Sequence, residues 1–468
     1  MIVPSSRLKH IYSLRWTKFY SSTSQPTIYA LSTHPGRAAI AIIRVSGPKS
    51  IDVYRKLSRK TTIPRPRQAF ITTLYEVGGK GPLDEALTLY FRAPNSYTCE
   101  DLIEFHVHGG PAVVQGVLGA IRSLNNSSLN DANDAIRYAE PGEFTRRAFY
   151  NGRMDLTQVE GVRDIIDAET EYQRKLAMVS ASGKSRQLYE TWRTKLVESM
   201  ATLTALIDFS DDNLDINQTS KILFERVTED VTQLLDDIRN HIFQSKRAEI
   251  VKSGIRMNFL GPPNAGKSSL LNKLVQREAA IVSEVPGTTR DVLEVAMDIG
   301  GYKVVLGDTA GIRAERDVGT DASSKIELEG IRRARERFQI GDVLLVVLPL
   351  DQLNMFPQDI IEELRMHSGQ KTIVALNKSD LVSHQDLLHI RTNYSKQLDV
   401  PLENVFPISC KTEAGVSDLV GSIKSACEEI AGQSTTQENA SSASARILSL
   451  LEIDIIPSLQ NYLGKYTF

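Results

Sequence analysis

The sequence predicts a multidomain fold, with two α/β domains and one α-helical domain, and three patterns along its 468 residues carry that prediction. Short β-branched runs alternate with helix-like segments near the N-terminus. Long stretches of charged and apolar residues at helical spacing follow, and strand–helix alternation returns beyond residue 250. A chain of this length also exceeds one ordinary core, which calls for roughly two to four domains.

Residues 1–26 carry Arg7, Lys9, Arg15 and Lys18 among many serines, and the first acidic residue is Asp52. That composition is that of a mitochondrial presequence (transit peptide), with a disordered basic tail as the alternative. Residues 27–150 read as an α/β domain, with strands at 39–45, 86–91 and 102–107 and a helix at 112–124. Residues 151–249 are poor in Pro and Gly and keep a helical period, so a helical bundle is expected there. Within 250–432, apolar strands at 256–260, 303–306, 343–347 and 372–376 are separated by helical segments, which predicts a mostly parallel sheet covered on both faces. A Gln/Ser/Thr/Ala-rich linker or capping segment at 432–444 precedes an apolar stretch at 447–463, making 433–468 a short C-terminal helical segment. The longest apolar run, 343–350, is far shorter than a bilayer requires, so no membrane span and a soluble mature protein are expected.

Composition excludes several classes of function. With 41% hydrophobic and 24% charged residues and a formal net charge of -2, the chain gives no overall polyanion-binding signal, so any nucleic-acid contact must be local. Cys99, Cys410 and Cys427 lack metal-ligand spacing and any pairing pattern, which suits a reducing compartment without structural disulfides or zinc. His106 and His108 alternate along one strand and suggest a metal site, but with no third ligand nearby they read as packed or hydrogen-bonded.

The chemistry concentrates in residues 261–411. Gly261-Pro-Pro-Asn264-Ala265-Gly266-Lys267-Ser268 lies between a strand and the helix-like segment that starts with Ser269, the context of a P-loop. Glycines let the backbone wrap phosphate oxygens, the helix N-terminus offers N–H groups, Lys267 neutralises phosphate charge, and the Ser268 hydroxyl holds Mg²⁺. A structural Gly-rich turn is the alternative for this motif alone. Asp308-Thr309-Ala310-Gly311 ends the next apolar strand, where the carboxylate reaches Mg²⁺ through water and the glycine N–H senses the γ-phosphate; a plain strand-ending turn is the alternative. In Asn377-Lys378-Ser-Asp380, the carboxylate suits N1–H and the 2-amino group of guanine, Asn377 suits the purine edge, and Ser409-Cys410-Lys411 closes over the base. Four motifs in this order and strand context predict a P-loop GTPase domain.

Two departures from the commonest GTPase pattern bear on mechanism. Ile312 stands where a water-orienting glutamine is often found, and an aliphatic side chain cannot do that work. Asn264, with Ser283, Val285 and Thr288 in a segment rich in carbonyls and hydroxyls, makes an oxygen cage suited to K⁺, which could replace an arginine finger. Thr289 completes the expected Mg²⁺ set and, with Lys267, the candidate catalytic set.

Outside the GTPase motifs, residues 35–47, 95–111, 141–149 and 151–158, together with Gly-Thr-Thr-Arg-Asp at 287–291, occur in an order that resembles the MnmE/TrmE family of tRNA modification GTPases in its mitochondrial form. The resemblance runs from about residue 27 to 432. It implies a dimerising, folate-binding N-terminal α/β domain, a helical domain interrupted by an inserted GTPase domain, and K⁺-dependent hydrolysis when two GTPase domains meet. It further implies a homodimer that forms a heterotetramer with an FAD-containing, MnmG-like protein in the mitochondrial matrix. There the family builds a carboxymethylaminomethyl or taurinomethyl group on tRNA wobble uridine, with the one-carbon unit drawn from a 5,10-methylene- or 5-formyl-tetrahydrofolate type folate. By position, Arg44, Glu104 and Arg153 match folate-binding residues, the last an Arg where the family usually has Lys, and Glu327 matches a catalytic glutamate that orients water. From the residues alone, Arg44 and Glu104 also fit an ordinary surface pair.

A rival of another class is a ribosome-assembly GTPase switch that binds rRNA. Such proteins usually carry a second GTPase domain or a basic RNA-binding module, neither of which the sequence contains. The family normally finishes with a longer helical return and a Phe-Cys-Ile-Gly-Lys tail, whereas this sequence ends Gly464-Lys-Tyr-Thr-Phe468. The expectation is a truncated product or imperfect gene model whose bundle lacks partners for part of its apolar surface. Such a chain would hydrolyse GTP, yet be impaired in folate-dependent modification and prone to aggregate.

Overall fold

The computed structural model describes residues 25–79, 81–125, 135–208, 217–262, 264–277, 279–281, 295–307, 341–351, 361, 364, 370–432 and 443–466. The presequence reading for 1–26 falls almost entirely outside them. The chain divides into two compact units, Met1–Val159 and Glu160–Phe468.

In the first unit, β1 (Thr27–Leu31), β2 (Ile40–Ser46), β3 (Phe70–Tyr75), β4 (Pro82–Phe91), β5 (Leu102–His108) and β6 (Ile136–Tyr138) form one sheet in the order β3-β4-β5-β2-β1-β6. All its pairings are antiparallel except β1 with β6. Strand alternation sends Ala41, Ile43 and Val45 of β2 to one face, where they share a core with Val53, Tyr54 and Leu57 of α1 (Ser50–Ser58) and Val114, Val117 and Ile121 of α2 (Pro111–Arg122). The register puts Ile71 opposite Leu87, Leu87 opposite His106 and His106 opposite Ile42, so these residues share the other face, where Ile71 is 65% and Leu87 41% exposed. Helix α3 (Glu143–Tyr150) is anchored by Arg147, 1% exposed, whose guanidinium donates to Glu100, Glu143 and the Pro26 carbonyl.

The division between the units falls within α4 (Leu156–Asp167). In the second unit, α5 (Glu171–Ala181), α6 (Lys184–Asp208) and α7 (Asn217–Ser253) precede a seven-stranded sheet. Its strands are β7 (Ile255–Leu260), β8 (Ala279–Ile281), β9 (Val295–Ile299), β10 (Tyr302–Gly307), β11 (Val343–Pro349), β12 (Lys371–Asn377) and β13 (Val405–Pro407), in the order β13-β12-β11-β7-β10-β9-β8. Strands β13 to β10 are parallel, and β9 and β8 close one edge antiparallel. Every residue of β11 is buried, as a central parallel strand requires. Its Leu345 and Val347 pack with α8 (Lys267–Arg277) and α10 (Val416–Ala431), while Leu344, Val346 and Leu348 pack with α9 (His384–Leu398) on the opposite face.

Past the sheet, α11 (Ala445–Leu450) runs through a π-helical turn, Leu451–Ile455, into α12 (Ile456–Tyr466). Val227, Val231, Leu234, Ile238 and Ile242 of α7 recur at helical spacing and share one core with Trp192 of α6 and with Leu448, Leu451 and Leu459. Residues 443–466 therefore cover part of the apolar surface of α6 and α7. Elsewhere on the helices Ile166, Met200, Ile207, Ile222 and Phe243 remain exposed. Among the described residues, no helix is long and apolar enough to cross a membrane.

Candidate functional site

Central strand β7 ends at Leu260, and the chain turns tightly into α8. A Cβ at Gly261 would lie 2.1 Å from the Val347 carbonyl oxygen, and one at Gly266, where φ is +94°, would lie 2.1 Å from Asn377 Nδ2. Both positions require glycine, for close approach at the first and for close approach and backbone conformation at the second. Asn264, at φ +61°, sits on the turn before the buried Ala265. The Lys267 ammonium folds back to donate to the carbonyls of Gly261 at 2.8 Å and Pro262 at 3.0 Å. Ser268 and Ser269 follow it in the first turn of α8, where backbone N–H groups have no intrahelical acceptor. The cradle thus combines a bare backbone turn, a helix N-terminus and an ammonium, a donor set that fits a polyphosphate.

The ends of β12 and β13 supply the base-recognition residues. Asn377, 3% exposed, donates from Nδ2 to the Ala265 carbonyl at 2.8 Å, and its Oδ1 accepts from Cys410 N at 3.2 Å. Each amide atom keeps one further hydrogen-bonding position, so Asn377 first ties the phosphate turn to the 409–411 turn and only its remaining capacity can meet a purine. Asp380 accepts from the fully buried Ser409 hydroxyl at 2.7 Å, and that hydroxyl also accepts from Thr412 N at 3.2 Å. The Ser409 hydrogen bond holds the Asp380 carboxyl below the usual carboxylate range, keeping it an ionised acceptor. Lys378, at φ +66°, pairs with Asp351 just beyond β11. Burial pushes the Cys410 thiol up, and Lys411 follows it on the turn. Asp351 escaped the sequence reading, because nothing in the chain links a strand-end aspartate to a lysine 27 residues on.

The phosphate turn and the 377–380 and 409–411 segments therefore converge. Ser283, Val285, Thr288, Thr289, Asp308, Thr309, Ala310, Gly311, Ile312 and Glu327 lie outside the described residues.

In the first unit, Arg44 and Glu104 are cross-strand partners on β2 and β5, joined by Arg44 Nε to Glu104 Oε1 at 2.7 Å. The Arg44 guanidinium also lies 5.5 Å from the Tyr97 ring centroid. Arg153 donates to the Ser96 carbonyl at 2.6 Å, so both arginines engage the loop after β4. His106 Nε2 is buried and makes no hydrogen bond among the described residues, with Glu104 Oε2 3.6 Å away. An ionised pair, an aromatic ring and an orphaned ring nitrogen fit a ligand that has both carboxylate and heteroaromatic parts. His108 is occupied by Asp84 at 2.7 Å, and among the described residues no cluster of His, Cys, Asp and Glu could hold a metal.

Residues 27–153 match the family model described as GTP-binding protein TrmE N-terminus, and residues 156–466 match the MnmE helical domain. The chain belongs to the MnmE/TrmE family. Among curated relatives of this MnmE/TrmE protein, the "tRNA modification GTPase MSS1, mitochondrial" of Saccharomyces cerevisiae is 39% identical over 462 residues, covering 95% of this chain and 85% of the relative. The "5-taurinomethyluridine-[tRNA] synthase subunit GTPB3, mitochondrial" of Danio rerio is 42% identical, covering 87% and 78%. The "tRNA modification GTPase MnmE" of Rickettsia akari is 36% identical, covering 88% and 85%. The converging motifs of the second unit are thus those of a MnmE/TrmE GTPase.

Proposed function

We propose that the chain hydrolyses GTP to GDP and phosphate and couples this to modification of the wobble uridine of mitochondrial tRNA. The observation that carries the reading is the convergence of the Lys267 cradle, Asn377 and the Asp380–Ser409 pair in a chain of the MnmE/TrmE family. The cradle binds the phosphates, Lys267 offsets their charge, and Asp380 selects guanine. Mg²⁺ held by Ser268 and Thr289, and K⁺ held by Asn264, Ser283, Val285 and Thr288, supply neutralising charge, while Glu327 orients water.

The same reading assigns folate to Arg44, Glu104 and Arg153, a carboxymethylaminomethyl or taurinomethyl product, and an FAD-containing MnmG-like partner. It places the chain in the mitochondrial matrix, with a presequence at 1–26, folate-binding and dimerisation at 27–150, helices at 151–249 and 433–468, and the GTPase domain at 250–432. Support for the partner comes from the word "subunit" in the Danio rerio relative's name, and for the compartment from "mitochondrial" in two of the relatives' names. The exposed Ile71 and Leu87 on the open sheet face support a dimer formed through the first unit.

The test is mass spectrometry of mitochondrial tRNA wobble nucleosides from cells lacking the chain. Loss of the substituent is expected, and an unchanged nucleoside profile overturns the reading. Hydrolysis should require K⁺, and equal turnover in Na⁺ would remove the cage from the mechanism.

A further inference from the structure

The tip of the β9–β10 hairpin seats on the N-terminal end of α5. Thr170 caps that helix through a reciprocal capping box with Gln173, and the Tyr172 N–H in the same turn donates to the Gly301 carbonyl at 3.2 Å. The Tyr172 and Tyr302 rings lie 4.8 Å apart, tilted by 32°, and Lys303 pairs with Glu169 at 2.5 Å. At the tip itself, Gly301 N donates to Asp298 Oδ1 at 2.7 Å, and a Cβ at Gly300, where φ is +62°, would strike the Lys424 side chain. From the same end of α5, Gln173 Nε2 donates to the Lys252 carbonyl at 2.9 Å, just before the chain enters the sheet.

The hairpin's place in the sequence gives these contacts a role. Its first strand follows the segment that contains Thr288 and Thr289, and its second ends at Gly307, directly before Asp308. Five consecutive cross-strand pairs, from Tyr302–Ile299 to Leu306–Val295, bind the two strands into one short body. A displacement at either end of the hairpin away from its tip therefore acts on Tyr302 and Lys303, whose partners Tyr172 and Glu169 belong to the helical part of the unit.

We propose that Tyr172 and Glu169 are positioning residues that link the nucleotide state of the sheet domain to helix α5. The inference rests on the GTPase reading above. Because coupling between sites is reciprocal, holding the hairpin from α5 also biases nucleotide binding by the sheet domain.

The test is hydrogen exchange on the full chain, comparing the GDP-bound form with the form bound to a non-hydrolysable GTP analogue. Exchange in residues 171–181 should differ by about fivefold or more between the two states. In Tyr172→Leu, which removes the ring and keeps apolar bulk, the difference should disappear while GDP affinity stays within about twofold and the melting temperature holds. Tyr172→Phe should behave as the natural chain. Glu169→Gln, which leaves the ring contact in place, should shrink the difference and provides the reading if Tyr172→Leu does not fold. A natural chain that binds both nucleotides with no difference in α5 overturns the inference and spares the GTPase reading, as does a full difference retained in the variants. A natural chain that binds neither nucleotide overturns both.

Discussion

Single residues carry the choice of base. The Asp380 carboxylate is kept ionised by the Ser409 hydroxyl, so it remains an acceptor suited to guanine N1–H and the 2-amino group. Asp380→Asn should weaken GTP binding by about tenfold or more and improve xanthosine triphosphate binding. A titration in which the preference for GTP is unaltered would remove Asp380 from the base site. In the first unit, Glu143 is 3% exposed and faces Arg137 and Arg147. Burial works to raise its carboxyl, but hydrogen bonds from Arg137, the Glu140 backbone and Arg147 prevail and hold it at about 2, below the ordinary 4.5. A depressed carboxyl stabilises the fold fully above its unfolded value, and that contribution is lost as pH falls from about 4.5 towards 2. Glu143→Gln should cost about 1–3 kcal/mol at neutral pH, because the buried Arg147 guanidinium then keeps only Glu100 as its charged partner, and should flatten the acid limb of urea unfolding. An unchanged acid limb would show that the network does not hold the unit. The residue types of the base site were legible because they are contiguous motifs. The pairings Lys378–Asp351 and Arg153–Ser96 were not, since they join segments that only folding brings together.

Elements were legible where periodicity was long. The α4 to α7 helices and the apolar strands β7, β10, β11 and β12 follow the spacing read from the chain. The short elements β6 and β8, each of three residues, escaped because so few residues cannot establish a period. Strand β1 escaped because Thr27, Ile28 and Tyr29 are buried in succession, so no alternation marks it. The sheet was read as mostly parallel, but the spacing did not say that its antiparallel part is the β8–β9 edge. At the β7–α8 turn, the demand for glycine became a measurable clash only once Asn377 was seen to lie against Gly266. Gly266→Ala should leave the domain folded but lower GTP affinity by about tenfold or more, as the strained turn and displaced Asn377 spoil the phosphate cradle. Binding measured with a fluorescent GTP analogue checks this, and natural affinity in the variant would mean that the turn yields without consequence.

At the scale of the molecule, the sequence announced several domains by changes of pattern, but it could not show which distant segments share a core. Spacing alone gave the apolar residues of 447–463 no partner and only the family resemblance implied a helical domain interrupted by the GTPase domain; Leu448, Leu451 and Leu459 do complete the cluster built by α6 and α7, on the far side of the whole sheet in sequence. The first unit, by contrast, has its own core between the sheet and α1 and α2, and contains all three candidate folate residues. The second contains every described nucleotide residue. A ligand that binds only the folded form of one unit stabilises that unit by mass action, by about 2.7 kcal/mol at a hundredfold excess over its dissociation constant. Calorimetry of the full chain should therefore resolve two transitions. GDP with Mg²⁺ should raise one of them, 5-formyl-tetrahydrofolate should raise the other, and Arg44→Ala should abolish only the folate shift. A single transition moved equally by both ligands would show that the two cores unfold as one, and a folate shift that survives in Arg44→Ala would place the folate elsewhere.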